Sequence, residues 1–138
     1  MLELLEVEEG DNVLDIGSGS AWTTALLSKI VGENGRVTNT EIIPELLELG
    51  SDNLKKYQLK NVESILSKKG AVGIKGRKFD RILVSASSEE LPEGLIEQLE
   101  NGGTLVIPIK DSIWRIQKDP AGGIGSKEYP GFAFVPLK

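Results

Sequence analysis

A glycine turn set between an apolar strand and a helical pattern constrains this chain more than any other feature. Residues 13–16 are apolar apart from Asp15, and the turn that follows consists of Gly17, Ser18 and Gly19. Glycines let a ligand approach the backbone, and open α/β sheets bind cofactors at the carboxyl ends of their strands. We therefore expect a ligand site around this turn.

The residues that flank the turn indicate which ligand it accepts. A dinucleotide fingerprint needs glycine or alanine at the sixth position of its motif, and the large Trp22 stands there. No Gly-Lys-Ser/Thr follows the glycines, which excludes a P-loop for nucleotide phosphates. Asp15, near the strand end, would repel a pyrophosphate and attract an ammonium or sulfonium group. S-adenosylmethionine carries both groups, so the sequence favours it as the cofactor.

A second acidic residue, Glu41, ends the next predicted strand about twenty residues further on, as in a nucleotide-binding half-sheet. Its carboxylate can accept hydrogen bonds from both ribose hydroxyls, and Ile42 offers an apolar wall for adenine. The alternative is that Glu41 begins a solvated loop before Pro44. The spacing from Asp15 favours the ribose site.

Composition excludes several classes of function. The 138 residues suit one domain, which we expect to span residues 1–138. Cysteine and histidine are absent, which excludes disulfides and imidazole-dependent nucleophiles, and no carboxylate spacing is typical of a metal site. The net charge of -5 argues against nucleic acid or an anionic membrane as a partner. No apolar stretch has the length of a membrane span and the N-terminus is too acidic for a signal peptide, so we expect a cytoplasmic protein.

Alternating strand and helix patterns predict the architecture. Strands are predicted at residues 13–16, 36–41, 62–66, 79–84, 104–109, 112–118 and 132–137, and helices at 22–31, 44–57 and 91–99. Right-handed crossovers would give a Rossmann-like, doubly wound α/β fold. Its seven-stranded sheet would be mostly parallel, with helices on both faces and an antiparallel strand from the C-terminal hairpin. Gly102 and Gly103 are expected to form a turn, and residues 122–127 the most flexible loop.

The apolar spacing also predicts which side chains are buried. Trp22, Leu26 and Ile30 recur at helical intervals, so we expect Trp22 to anchor its helix in the core rather than to contact the cofactor. Trp114 is expected to pack within the terminal hairpin.

Several motifs that follow one another along the chain resemble a single family. They are Val13-Leu14-Asp15-Ile16-Gly17-Ser18-Gly19-Ser20, Phe79-Asp80-Arg81-Ile82-Leu83-Val84, Leu91-Pro92-Glu93, Leu105-Val106-Ile107-Pro108 and Phe134-Val135-Pro136-Leu137. Over nearly its whole length the sequence resembles protein-L-isoaspartate O-methyltransferases. The combination of these motifs in this order is more specific than a general methyltransferase motif.

The resemblance implies transfer of a methyl group from S-adenosylmethionine to the free carboxylate of an isoaspartyl residue, in damaged proteins or peptides. That carboxylate is already deprotonated at pH 7, so the missing histidine is not an obstacle. S-adenosylhomocysteine would be the product of the cofactor. We expect a monomer.

The resemblance also implies roles for particular residues. The backbone of Gly17, Ser18 and Gly19 would face the methionine part of the cofactor, Asp15 would lie near its ammonium, and Glu41 with Ile42 would hold the adenosine. The acceptor side would be formed by Ser85, Ala86 and Ser87.

Four features depart from the family pattern. The family has an amino-terminal segment before the cofactor turn, with a Ser-x-Pro stretch at the acceptor site, and its catalytic serine has no counterpart here. Ala21 replaces a third glycine, which is costly if φ must be positive there. Lys68 and Lys69 replace an Asp-Gly pair that contacts adenine, and Ser87 and Ser88 replace small alanines beside the acceptor.

Three functions therefore stay open. The first is an isoaspartyl methyltransferase, weak or inactive in this form, with no catalytic residue identified. The second is a non-catalytic domain that binds S-adenosylmethionine, and the third is a methyltransferase with another acceptor. The acceptor-side motifs favour the first, and the departure at the amino terminus favours the second.

Overall fold

The computed structural model describes residues 2–68, 72–86 and 88–131, in which strands and helices alternate. The strands are β1 (Asn12–Ile16), β2 (Arg36–Glu41), β3 (Val62–Leu66), β4 (Phe79–Val84), β5 (Leu99–Ile109), β6 (Ser112–Lys118) and β7 (Ile124–Pro130). The helices are α1 (Leu2–Leu5), α2 (Trp22–Val31), α3 (Pro44–Lys56) and α4 (Glu93–Glu97). Within this part of the chain, none of the helices is both long and apolar enough to cross a bilayer.

The seven strands form one sheet in the order β3-β2-β1-β4-β5-β6-β7. The pairs among β1 to β5 are parallel, whereas β6 pairs antiparallel with both β5 and β7. The strand order reverses between β1 and β4, and open α/β sheets bind ligands at the carboxyl ends of the strands at such a point. The predicted Rossmann-like, mostly parallel sheet is confirmed.

Helices cover both faces of this sheet. On one face, Val13 of β1 packs in a cluster with Leu27 of α2. On the other face, Ile82 of β4 packs in a cluster with Leu95 of α4. Because both faces are covered, β1, β4 and the second half of β5 are apolar along most of their length rather than alternating.

The buried face of α2 differs from the predicted one. The buried residues of this helix are Thr24, Ala25, Leu27, Ser28 and Val31. Trp22 is 64% exposed and Ile30 is 43% exposed, so the prediction that Trp22 anchors the core is wrong. The hydroxyl of Thr24 donates a 2.7 Å hydrogen bond to the buried carboxylate of Asp15, and Leu27 and Val31 pack into the core on the same face of the helix.

Two predicted boundaries near the middle of the sheet also change. Gly102 and Gly103, expected to form a turn, lie inside β5. The register between β4 and β5 shifts at this point, so the two glycines belong to a bulge. The helix expected at residues 91–99 is limited to Glu93–Glu97, because Gln98 ends it and the next residue starts β5.

The last described strand is not the predicted one. Most of the segment 122–127, expected to be the most flexible loop, belongs to β7, which pairs with all of β6. Most of its residues are exposed and they do not alternate between apolar and polar, so hydrophobic periodicity gives no signal, and backbone hydrogen bonds hold the strand at the sheet edge. Residues 132–137, predicted as the seventh strand, lie outside the described residues.

Candidate functional site

Adjacent strands carry the two predicted acidic residues to one edge of the sheet. β1 and β2 pair in parallel with Ile16 beside Thr40, so Asp15 and Glu41 both lie at the carboxyl ends of neighbouring strands. Burial raises the pKa of Asp15, and the nearby negative charge of Glu41 raises it further by a smaller amount. The structure therefore brings these two carboxylates together beside the glycine turn.

The glycine turn is open to a ligand but has few free donors. Gly17 and Gly19 have φ of +76 and +54, and a Cβ built on either would meet no atom within 4 Å. The N–H groups of Gly17 and Ser18 donate to the carbonyl oxygen of Thr40 (3.0 and 3.2 Å), and that of Gly19 donates to Glu41 Oε2 (3.1 Å). Phosphate sites at such turns depend on free N–H groups, and here three of them are engaged within the protein.

Asp15 is a fully buried carboxyl group with one unpartnered oxygen. Its Oδ2 accepts the hydrogen bond from Thr24, whereas Oδ1 has no hydrogen-bond partner. Burial raises the pKa of Asp15 to about 6, although the hydroxyls of Thr24 and Ser85 lower this pKa. The Ser85 hydroxyl faces the carboxyl group but makes no hydrogen bond to Oδ1. An unpartnered buried carboxylate is costly, and a cationic ligand would relieve that cost.

Glu41 holds the turn as well as facing the site. Its side chain is 7% exposed, with Oε2 accepting from the N–H of Gly19 and Oε1 from the N–H of Ile43 (3.4 Å). Each carboxylate oxygen has lone pairs left for a further donor. Ile42, the predicted adenine wall, follows directly and is partly buried. The alternative of a solvated loop residue does not fit these contacts.

The predicted acceptor segment follows β4 at the same edge. The N–H of Ser85 donates to the carbonyl oxygen of Ile16 (3.0 Å), which holds the start of the segment against β1. Ser85 lies beside Asp15, and Ala86 follows it, partly buried. Ser87 lies outside the described residues. The structure thus gathers Asp15, Gly17, Ser18, Gly19, Glu41, Ile42, Ser85 and Ala86 along the carboxyl ends of β1, β2 and β4.

The departure at Ala21 has a structural cost. Ala21 precedes α2 with φ of +67, in the left-handed region where a residue other than glycine is strained. It is 1% exposed, and α3 packs against it. The side-chain amide of Asn53 in α3 also donates to the carbonyl oxygen of Ser20 (3.0 Å).

The departure at Lys68 and Lys69 is only partly described. Lys68 is exposed after β3, and Lys69 lies outside the described residues.

Sequence reasoning missed the polar side chains that support the turn from below. Thr24 donates to Asp15, Asn39 donates to Ser18, and Ser64 donates to Asn39. The available signal was a polar residue in the middle of β2, a strand whose residues 37–41 are all buried. A polar side chain in such a strand needs a hydrogen-bond partner, which the sequence alone does not identify.

The site as a whole is rich in acceptors. Two carboxylates line it, the described N–H groups of the turn are engaged internally, and the space above both glycines is free. Such an arrangement attracts a positively charged group and offers acceptors to hydroxyl groups. It provides no imidazole and no thiol, since the chain contains neither histidine nor cysteine.

Comparison with known sequences agrees with this geometry. The profile of the family Protein-L-isoaspartate(D-aspartate) O-methyltransferase matches residues 1–138. Protein-L-isoaspartate O-methyltransferase 2 of Archaeoglobus fulgidus is 40% identical over 141 residues, which cover 100% of this chain and 64% of the relative. Protein-L-isoaspartate O-methyltransferase of Methanopyrus kandleri is 39% identical, over 99% of this chain and 63% of the relative. The chain therefore spans just under two thirds of the length of these relatives.

Comparison with solved structures gives the same result. A Plasmodium falciparum protein assigned to the same methyltransferase class, in complex with S-adenosyl-L-homocysteine, has a TM-score of 0.84 and 27% identity. That match covers 99% of this chain and 69% of the other. A second structure, of a protein-L-isoaspartate O-methyltransferase, has a TM-score of 0.89 at 24% identity and shows that the fold is shared. The chain therefore belongs to the protein-L-isoaspartate(D-aspartate) O-methyltransferase family.

Proposed function

We propose that this chain binds S-adenosylmethionine at the glycine turn and methylates the free carboxylate of isoaspartyl residues in damaged proteins. The observation that carries the proposal is the pair of carboxylates, Asp15 and Glu41, on either side of an open turn whose N–H groups are already engaged. This set of acceptors suits an ammonium, a sulfonium and two ribose hydroxyls, and it does not suit a pyrophosphate.

Each residue of the site has a role in this proposal. Asp15 would hold the ammonium through its unpartnered Oδ1, and Glu41 would accept from the ribose hydroxyls with Ile42 against adenine. The open backbone at Gly17 and Gly19 would let the methionine part lie close to the turn. When bound, the cofactor supplies an electrophilic methyl group.

The proposed acceptor explains how the reaction proceeds without a general base. An isoaspartyl carboxylate is deprotonated at pH 7 and is itself the nucleophile. The protein then has to align the acceptor and exclude water, and alignment alone can supply about 7–11 kcal/mol. We assign acceptor binding to Ser85, Ala86 and Ser87, because Ser85 lies beside Asp15 at the carboxyl end of β4. We assign no catalytic residue.

The substrate class rests on the family, whose relatives carry the isoaspartate methyltransferase name. We further propose that residues 1–138 act as one cofactor domain, that the protein is a monomer, and that isoaspartyl proteins rather than nucleic acids are its partners. The cytoplasmic location expected from the sequence stays a prediction.

Calorimetric titration with S-adenosylhomocysteine tests the cofactor part of the proposal. We expect saturable binding that Glu41→Ala weakens at least about tenfold, because a charge-assisted hydrogen bond contributes about 1.5–3 kcal/mol. Glu48→Ala is the matched control, since Glu48 is an exposed acid of α3. Heat traces equal to those of buffer would remove the cofactor assignment.

Transfer of labelled methyl groups tests the reaction. We expect at most weak incorporation into an isoaspartyl peptide and none into the aspartyl peptide of the same sequence. Binding without any incorporation would identify a non-catalytic domain. Incorporation into another carboxylate, with none into the isoaspartyl peptide, would identify a different acceptor.

A further inference from the structure

We propose that Asn39 is a positioning residue that fixes the glycine turn through Ser18, with Ser64 fixing Asn39 in turn. The inference rests on the proposed function, because the turn it positions is the proposed cofactor site. It adds to the site two residues, Asn39 and Ser64, that would not touch the cofactor themselves.

Three side chains form this relay across β3, β2 and the turn. The Oγ of Ser64 donates to Asn39 Oδ1 (2.6 Å), and Asn39 Nδ2 donates to the Oγ of Ser18 (2.9 Å). The hydroxyl of Ser18 in turn donates a hydrogen bond to the carbonyl oxygen of Thr40 (3.4 Å). Each hydroxyl and amide group of the relay has a partner. The hydrogen bonds therefore run in one direction, with the donors leading from Ser64 on β3 to Ser18 in the turn.

The sheet register shows why Asn39 occupies this position. Asn39 pairs with Asp15 on one side and with Ser64 on the other, so the three side chains form one polar row across β1, β2 and β3. Asn39 is 1% exposed. An amide in such a place is costly unless it is hydrogen-bonded, and an apolar side chain would serve the packing of a buried strand as well. The hydrogen bond to Ser18 satisfies the amide of Asn39 and links β2 to the glycine turn.

The relay also determines what Ser18 can do. With its hydroxyl accepting from Asn39 and donating to Thr40, the side chain of Ser18 is held against β2. The N–H of Ser18 donates to the same Thr40 carbonyl oxygen, so side chain and backbone hold the residue from one side. Loss of Asn39 would release one of these restraints and leave the turn less well ordered for binding.

A comparison of two ligands separates positioning from general stability. In the proposed function the turn would face the methionine part of S-adenosylhomocysteine, and adenosine lacks that part. We expect Asn39→Ala to weaken S-adenosylhomocysteine about tenfold and adenosine less than about threefold, since a lost hydrogen bond and a loosened turn together cost about a factor of ten. Ser64→Ala, a milder change that keeps the amide, should weaken S-adenosylhomocysteine about threefold with the same preference.

Ser28→Ala is the matched control for these variants. Ser28 is also a buried serine that donates to an asparagine, Asn61, but it lies at the other end of α2. We expect it to lower the melting temperature and to leave both affinities within about twofold. If Asn39→Ala weakens both ligands equally, or behaves like Ser28→Ala, the positioning role is refuted.

Amide hydrogen exchange of the ligand-free protein tests the relay independently of any ligand. Asn39→Ala should speed exchange at Ser18 and Gly19, while Ser28→Ala leaves these two amides unchanged. Unchanged protection in Asn39→Ala would overturn the inference even if the cofactor binds. If the unaltered protein binds neither ligand, the proposed function fails, and the exchange result alone decides the inference.

Discussion

The methyl group of Ala21 faces the bare Cα of Gly50 where α3 packs against the glycine turn. A Cβ built on Gly50 would lie 3.1 Å from the Cβ of Ala21 and 3.0 Å from the carbonyl oxygen of Gly19. Glycine within a helix costs about 1 kcal/mol relative to alanine, so this position carries a cost that close packing explains. The alanine in the turn and the glycine in α3 therefore depend on each other.

A double-mutant cycle tests this dependence. Gly50→Ala alone should destabilise the fold, because overpacking costs about 1–3 kcal/mol and exceeds the gain in helix propensity. In the Ala21→Gly background we expect the same change to cost at least about 1 kcal/mol less. Ala21→Gly alone should be nearly neutral, since relief of about 1–2 kcal/mol of strain is offset by lost burial and by a more flexible unfolded chain. Urea unfolding of the four proteins measures the coupling.

Gly94→Ala is the control for this cycle. Gly94 lies inside α4, and a Cβ built there would meet no atom within 4 Å. It should stabilise the protein by up to about 1 kcal/mol in either background. Additive effects of Ala21→Gly and Gly50→Ala would show that the two residues are independent.

The buried carboxyl of Asp15 predicts a pH-dependent stability. Its pKa is raised from 3.8 to about 6 by burial, so the folded protein binds the proton more tightly than the unfolded chain does. The stabilising effect of this proton is complete below pH 3.8 and is lost as the pH rises through 6. At about 1.4 kcal/mol per pKa unit, the loss amounts to about 3 kcal/mol.

Asp15→Asn removes this titration. The variant should be more stable than the unaltered protein above pH 7, and its unfolding free energy should change less between pH 4 and pH 6. Urea unfolding at several pH values measures both. Parallel pH profiles for the two proteins would contradict the raised pKa.

The affinity for S-adenosylhomocysteine should rise with pH, whereas the stability falls. A ligand ammonium favours the ionised form of Asp15, so S-adenosylhomocysteine should bind more tightly as the pH rises toward and past 6. Below that pH the affinity should fall by up to about tenfold per pH unit, because the carboxyl must lose its proton first. Calorimetry in buffers of different ionisation enthalpy should detect proton release near pH 6. The Asp15→Asn variant should bind S-adenosylhomocysteine weakly and with an affinity that does not depend on pH. If its affinity still changes with pH, another group causes the pH dependence.

Most strand positions were predictable from short runs of strand-forming residues bounded by turn residues. The predicted bounds of β2, β3, β4 and β6 are those of the structure, and the spacing of Asp15 and Glu41 predicted that they meet. β7 could not be predicted in this way, because an exposed edge strand is held by its backbone and its side chains show no apolar pattern.

The support beneath the turn was not predictable for a different reason. An asparagine within a strand can donate a hydrogen bond to a distant turn, or it can face solvent at the end of the strand. The local sequence does not distinguish these two cases. The partner of Asn39, Ser18, is 21 residues away in sequence and is brought near only by the register of β1 and β2. A polar residue among buried neighbours signals a partner without identifying it.

The orientation of α2 gives the last prediction. Both sides of this helix carry apolar residues, so periodicity alone could not choose between Trp22 with Ile30 and Leu27 with Val31. Because Trp22 is 64% exposed, Trp22→Gln should change the unfolding free energy by no more than about 0.5 kcal/mol, whereas Leu27→Ala, at a fully buried site, should cost about 2–5 kcal/mol. Acrylamide should quench Trp22 strongly, and the fluorescence that remains in Trp22→Gln, from the partly buried Trp114, should be quenched less. A large loss of stability in Trp22→Gln would restore the buried orientation that its spacing suggested.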